Sequence, residues 1–174
     1  MRKLRTVACF TIWAASLVAP AAQPANALHA GQRGVTATFE GRSIDLAHDW
    51  EGATACTSDG AQTRCYQSVA EMDAAELKGV SLTSASCATP GVRLYRSVSY
   101  GGGVLQLLTR GTYINLGAYG FDNDTSSFRI GACSAGFYDT TTGGTSYPGS
   151  TSAGISAAAM SSGWDNRVGS VYIF

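Results

Sequence analysis

"GFDNDTSSFRI" at 120–130 and "GWDNRVGSVYI" at 163–173 lie over each other without a gap, 43 residues apart. Both run Gly, large aromatic, Asp, Asn, two variable residues, a small residue, Ser, and then a short apolar-edged stretch. Asp and Asn side chains bond their own backbone and tolerate left-handed conformations, so each copy spells a tight corner. Phe121 and Trp164 are placed to plug a core beside it, and the stretch after the serine is the strand that the corner feeds. A corner repeated at this period implies two like units of about forty residues, enough for four short strands or one Greek key each.

The text around the two corners agrees. Across 91–174 helical periodicity is absent, and short alternating runs such as "VRLY", "VLQLL", "TYINL", "SSFRI" and "SVYIF" stand between Gly-rich turns. Such strands indicate an all-β sandwich or barrel. One sheet of this kind leaves an apolar face in water, and two packed face to face close it. The stretch "GGTSYPGSTSAGISAAAMSSG" at 143–163 is uncharged and poor in large apolar residues. It reads either as a flexible binding loop or as a weakly packed half of the second unit.

Residues 28–86 follow a different grammar and read as a small α+β module. "VTATF" and "SIDLA" each place apolar residues on one side, and "EGR" between them supplies the turn of a β-hairpin. Trp50 follows, then the loop "CTSDGAQTRC", then "SVAEMDAAELKG". There Ser68 stands three residues before Glu71, a capping box, and Gly79 is placed to end a short helix. Ahead of the module, residues 1–27 combine Arg2, Lys3 and Arg5, an apolar centre from about Val7 to Ala19, and an Ala-x-Ala exit at Ala27. That is a secretory signal peptide, too short in its apolar centre for a membrane span, and it predicts an exported, extracellular mature chain.

Removing those residues leaves nine basic against twelve acidic side chains. A mildly acidic product has no general attraction for nucleic acid or for an anionic membrane. Cys9 departs with the signal, leaving Cys56, Cys65, Cys87 and Cys133, and an even number in an exported chain points to disulfides. Four cysteines permit three pairings; closeness within one segment favours Cys56–Cys65, with Cys87–Cys133 as the remainder. Zinc is disfavoured, because no Cys-x-x-Cys occurs and only His29 and His48 are available. Catalysis is disfavoured too. His48-Asp49 is the one adjacent His–carboxylate pair, and "GSTSAG" at 149–154 has Thr151 where a nucleophile elbow needs serine.

The corner pattern Asn/Asp–Asn/Asp–x–x–Ser/Thr–Ser, once per Greek key, resembles the calcium-binding signature of the βγ-crystallin family. Asp122-Asn123-Asp124-Thr125-Ser126-Ser127 matches it in full. Tyr95, Tyr100, Gly102 and Leu107 are similar to the family's first-hairpin pattern, with Arg96 departing from the usual acidic or amide residue after the first aromatic. The second unit keeps Phe137 and Tyr138 but has no aromatic in the place of Tyr100, and Gly169 stands where the signature has a hydroxyl.

The resemblance implies a double Greek-key sandwich over 87–174, with repeats at about 91–131 and 134–174, and two Ca2+ sites shared between the units. Asp122 and Asp165 would supply charge, Asn123 and Asn166 carbonyl oxygens, Ser126 a hydroxyl, and Asp124 a further carboxylate. The third position ligates through its backbone in this family, so Arg167 leaves the ligand in place but sets a positive charge beside the cation. The N-terminal segment is similar to a leader module of secreted actinobacterial βγ-crystallin-like proteins. The same fold with two disulfides also occurs in bacterial metalloprotease inhibitors. The alternative expectation is therefore inhibition of a secreted protease, through "CTSDGAQTRC" or the neighbourhood of Cys133.

Overall fold

The computed structural model describes residues 34–78, 87 and 90–174. The expected signal peptide, the first residues of the module and Gly79 lie outside the described residues. The strands are β1 (Thr36–Phe39), β2 (Arg42–Asp45), β3 (Ala55–Ser58), β4 (Thr63–Tyr66), β5 (Val92–Ser97), β6 (Gly101–Leu107), β7 (Tyr113–Asn115), β8 (Ser127–Ile130), β9 (Ala135–Thr140), β10 (Gly143–Ser146), β11 (Ser156–Ala157) and β12 (Ser170–Ile173), with one α-helix, α1 (Val69–Leu77), among the described residues. They form two sheets, β11-β8-β5-β6-β3-β4-β1-β2 and β10-β9-β12-β7.

The repeat is visible in the register. Tyr95 on β5 stands opposite Ser127 on β8, and Tyr138 on β9 stands opposite Ser170 on β12, the same pairing one repeat later. Each unit lays its fourth strand beside its first, antiparallel, and its first beside its second. The third strands are exchanged: β7 pairs with β12 in the second sheet, and β11 pairs with β8 in the first. This is a Greek-key order in which each unit completes the other's sheet. Phe128 and Phe137 meet edge to face across the sandwich at 5.0 Å, and Leu94, Leu105, Leu116, Val171 and Ile173 fill the same core.

The N-terminal strands extend the first sheet. Residue Ala55 of β3 pairs parallel with Val104 of β6, and β4, β1 and β2 continue outward. The expected hairpin is β1–β2, turning through Glu40 and Gly41, both at positive φ (48° and 75°), a geometry that matches the twist of the flanking strands. Every residue of β3 is buried, since it lies between neighbours and is covered on both faces. Helix α1 covers the outer face: Met72 packs on Ala55, Tyr95 and Val104, and Arg93 of β5 reaches Asp73 at 2.6 Å. Buried Gln106 donates to Thr57 and to Glu76 on the helix. The Ser68 cap forms, with Glu71 N–H donating to Ser68 Oγ at 3.2 Å, while the Glu71 carboxylate reaches one residue further back than a capping box requires and accepts from Gln67 N–H at 3.0 Å.

Two disulfides are present in the favoured pairing, Cys56–Cys65 across the β3–β4 ladder and Cys87–Cys133. The uncharged stretch at 143–163 carries β10 and β11. Tyr147 pins it, its ring 5.7 Å from Phe128 and 5.4 Å from Trp164, its hydroxyl 2.9 Å from Ser161 Oγ. Among the described residues, no helix is long and apolar enough to cross a membrane.

Candidate functional site

The two corners meet. Asn123 and Asn166 occupy the same position in the repeat, and both are left-handed, with φ 53° and 54°. The backbone N–H of Asn123 donates to the carbonyl of Val168 at 3.0 Å, and that of Asn166 donates to the carbonyl of Thr125 at 3.1 Å. Each N–H thus reaches the residue two places beyond its counterpart in the other corner. Left-handed backbone is tolerated by Asn better than by most side chains, and here it turns each N–H toward the opposite unit. Behind the corners Phe121 and Trp164 are buried as the core plugs that the sequence predicts.

The side chains at this junction are mostly oxygen donors. Asp122 is exposed at the corner and accepts from Asn123 Nδ2 at 3.1 Å. Partial loss of solvent pushes its carboxyl up from the ordinary value. Ser126 Oγ donates across the junction to Asn166 Oδ1 at 3.3 Å. In the second unit the same place is Gly169, so Asn123 finds no hydroxyl there and turns to its own neighbour Asp122. Asp165 is exposed on the second corner. Among the described residues Thr125 Oγ1 is buried without a partner, and Val168 is its counterpart in the second unit, a near-isosteric residue with no hydroxyl to satisfy.

At the third corner position both side chains are drawn into ion pairs, which engages the Asp124 carboxylate and leaves the Arg167 backbone carbonyl as it was. Asp124 forms an ion pair with Arg96, whose guanidinium also donates to the Gly120 carbonyl at 2.9 Å. Loss of solvent raises the Asp124 carboxyl, with Arg96 partly opposing the shift. Arg167 forms an ion pair with Asp139 at 2.9 Å, and this hydrogen bond holds the Asp139 carboxyl below its ordinary value.

The final serine of each corner does something the sequence pattern does not reveal. Ser127 Oγ accepts from Tyr100 N–H at 3.1 Å and donates to Ser97 carbonyl at 2.6 Å. Ser170 Oγ accepts from Gly143 N–H at 3.2 Å, the equivalent bond in the second unit. Both serines are fully buried and tie the first hairpin of a unit to its corner. Tyr100 has φ 63°, a strained value for an aromatic residue, and that hydrogen bond helps hold it there. Ser127→Ala should lower unfolding free energy in urea by about 1–2 kcal/mol, the cost of orphaning a partly buried N–H and the Ser97 carbonyl together. A loss under a few tenths of a kcal/mol would mean that Tyr100 keeps its place without the serine.

The remaining candidates take no part in the pairing of the corners. His48 is exposed, and Asp49 accepts from Glu51 N–H at 2.9 Å as a local turn. Both line a cleft of about 480 Å³ with Trp50, Arg96 and Gly120. The Cys56–Cys65 loop is a tight hairpin in which buried Asp59 accepts from Ala61 and Gln62 N–H, leaving Gly60, Ala61 and Gln62 exposed at the tip. No group of three or more His, Cys, Asp or Glu stands close enough to hold a metal among the described residues. Any cation at the corners would therefore take amide, hydroxyl or backbone oxygens beside its carboxylates.

Solved βγ-crystallin domains are similar to about half of this chain. One from Ciona intestinalis is 22% identical, with 48% of this chain and 98% of that one covered and a TM-score of 0.39. One from Flavobacterium johnsoniae is 26% identical, covering 48% and 92%, with a TM-score of 0.40. A mutant βγ-crystallin domain from Clostridium beijerinckii is 18% identical, covering 48% and 100%, with a TM-score of 0.40. No family model and no curated protein matches the chain.

Proposed function

We propose that the paired corners bind calcium and stabilise the native fold by doing so. The observation that supports this reading is the reciprocal pairing of Asn123 and Asn166 with the opposite corner, which gathers oxygen donors from both units at one junction. Calcium takes six to eight hard oxygens, from carboxylates, amide and backbone carbonyls, hydroxyls and water. Asp122 and Asp165 would supply the charge, Asn166 and Ser126 neutral oxygens from opposite units, and the corner backbone its carbonyls. Gly169 removes one hydroxyl from the second corner, so its partner site is the poorer. The protein's part is to hold these donors in corners that lead directly into β8 and β12 before the ion arrives. Disulfide-bonded chains belong to oxidising compartments, where calcium is plentiful, and the two disulfides are consistent with that setting. Inhibition of a secreted metalloprotease, the rival assignment, rests on the fold resemblance, with the stapled tip at Gly60–Gln62 or the neighbourhood of Cys133 as the inhibitory loop.

A ligand bound only by the native state raises stability by mass action, about 2.7 kcal/mol when it is present at a hundred times its dissociation constant. Thermal melts in millimolar calcium should therefore lie above melts in chelator. Asp122→Asn with Asp165→Asn should abolish the difference. Superimposable wild-type melts would leave the corners as purely structural turns.

A further inference from the structure

The two ion pairs at the corners are one arrangement written with its charges exchanged. Arg96 and Asp139 occupy the same place in the two repeats, 43 residues apart, and so do Asp124 and Arg167. In the first unit the arginine comes from the first strand and the carboxylate from the corner; in the second unit the carboxylate comes from the strand and the arginine from the corner. The surroundings are preserved as well. The Arg96 guanidinium lies 4.7 Å from the Phe121 ring centre and donates to Gly120 carbonyl, while that of Arg167 lies 5.0 Å from the Trp164 ring centre and approaches Gly163 carbonyl at 3.5 Å. Phe121 and Trp164 are counterparts, as are Gly120 and Gly163.

The exchange has an electrostatic consequence. Asp122 with the Arg96–Asp124 pair leaves one net negative charge on the first corner. Asp165 with the Asp139–Arg167 pair leaves the same on the second. Opposite residues at the third corner position therefore give equal local charge. Without its partner, Arg167 would cancel Asp165, and without its partner, Asp124 would double the charge beside Asp122.

We propose that Arg96 and Asp139 are positioning residues that set the calcium affinity of the two corners, Asp139 by engaging the Arg167 guanidinium and Arg96 by engaging the Asp124 carboxylate. The inference rests on the calcium reading of the corners and assigns the control of affinity to two side chains outside the corner pattern. Calcium sites are tuned by the charge of their surroundings, and one uncompensated unit charge a few ångströms from a divalent ion changes affinity by about tenfold or more. Asn at 139 keeps an oxygen for the Thr145 N–H, which Asp139 accepts at 2.7 Å, so that substitution removes charge with little loss of local bonding.

The test is calcium titration by calorimetry, at fixed ionic strength, of the chelator-stripped mature chain and four variants. Asp139→Asn should weaken one site about tenfold, and adding Arg167→Gln should restore it, because the pair of changes returns the corner to its original charge. Arg96→Gln should tighten one site by a similar factor, and adding Asp124→Asn should return it to the wild-type value. A merely structural clamp would show no such rescue, since both double variants lack the ion pair. Wild-type binding with unaltered affinities in the single variants, or double variants as altered as the singles, overturns the assignment while leaving calcium binding intact. A wild-type protein that gives no calcium heat overturns the calcium reading and this inference with it.

Discussion

Trp50→Ala should cost about 3–5 kcal/mol of unfolding free energy, the range for removing a buried Trp or Phe side chain. Trp50 is the point at which the N-terminal strands grip the first corner. Its Nε1–H donates to the Tyr119 carbonyl at 2.8 Å in a buried bond, and its ring lies 5.8 Å from Phe121 and 4.8 Å from the Arg96 guanidinium. The neighbouring glycine shows how close the contact is: at Gly120, which has φ 61°, an added Cβ would stand 2.3 Å from the Leu46 carbonyl oxygen. Removing the indole therefore opens a cavity, orphans an acceptor and strips one face from Arg96 together. Trp50→Phe separates these effects. It keeps a ring on Phe121 and Arg96 but loses the N–H and part of the indole's volume, so it should cost less, about 1–3 kcal/mol. Urea unfolding of both variants provides the measurement. A Trp50→Ala midpoint within error of wild type would mean that the N-terminal strands contribute nothing to the corner they touch.

That contact belongs to the part of the fold that sequence did not disclose. The repeat, the buried Phe121 and Trp164, the hairpin through Glu40 and Gly41, and the Ser68 helix cap all depend on neighbours in the chain, and all were legible. The exchange of β7 and β11 between sheets was not, because strand pairing at long range leaves no mark on either strand's own alternation. The parallel union of β3 with β6 was hidden for a related reason. A strand buried on both faces loses the alternation that announces a strand, and "ACTS" with its small polar residues looks like loop.

The site divides the same way. Asp-Asn at the corners could be read because the turn chemistry is local. The role of Asp124 and Arg167 could not, because each is defined by a partner 28 residues away. A trace of it does lie in the sequence: positions 96 and 124 carry opposite charges, and so do 139 and 167 with the signs reversed. Reading that trace requires knowing beforehand that the first strand passes beside the corner. Tyr147 was missed because a lone aromatic in a Ser- and Gly-rich stretch carries no periodicity.

Removing the Cys87–Cys133 bridge should destabilise the protein more than removing Cys56–Cys65, although the second bridge lies within a sheet and the first joins segments between elements. A disulfide acts chiefly by restricting the unfolded chain, and the restriction grows with the loop it closes. The sequence separations are 46 and 9 residues. The chain-entropy relation then gives about 4 kcal/mol for the long loop and about 2.5 kcal/mol for the short one. Geometry points the same way, because Cys56 and Cys65 already face each other in the β3–β4 ladder, where backbone hydrogen bonds keep them in register without the sulfurs. The long bridge instead encloses β5 to β8, tying the entry of the first Greek key to the entry of the second. Urea unfolding of Cys56→Ala/Cys65→Ala and Cys87→Ala/Cys133→Ala, with m compared as well as midpoint, tests the order. Loss of the long bridge should also raise m, since its unfolded state becomes the more expanded. A larger loss from the short bridge would mean that packing of the buried Cys56–Cys65 pair in the native sheet outweighs loop entropy.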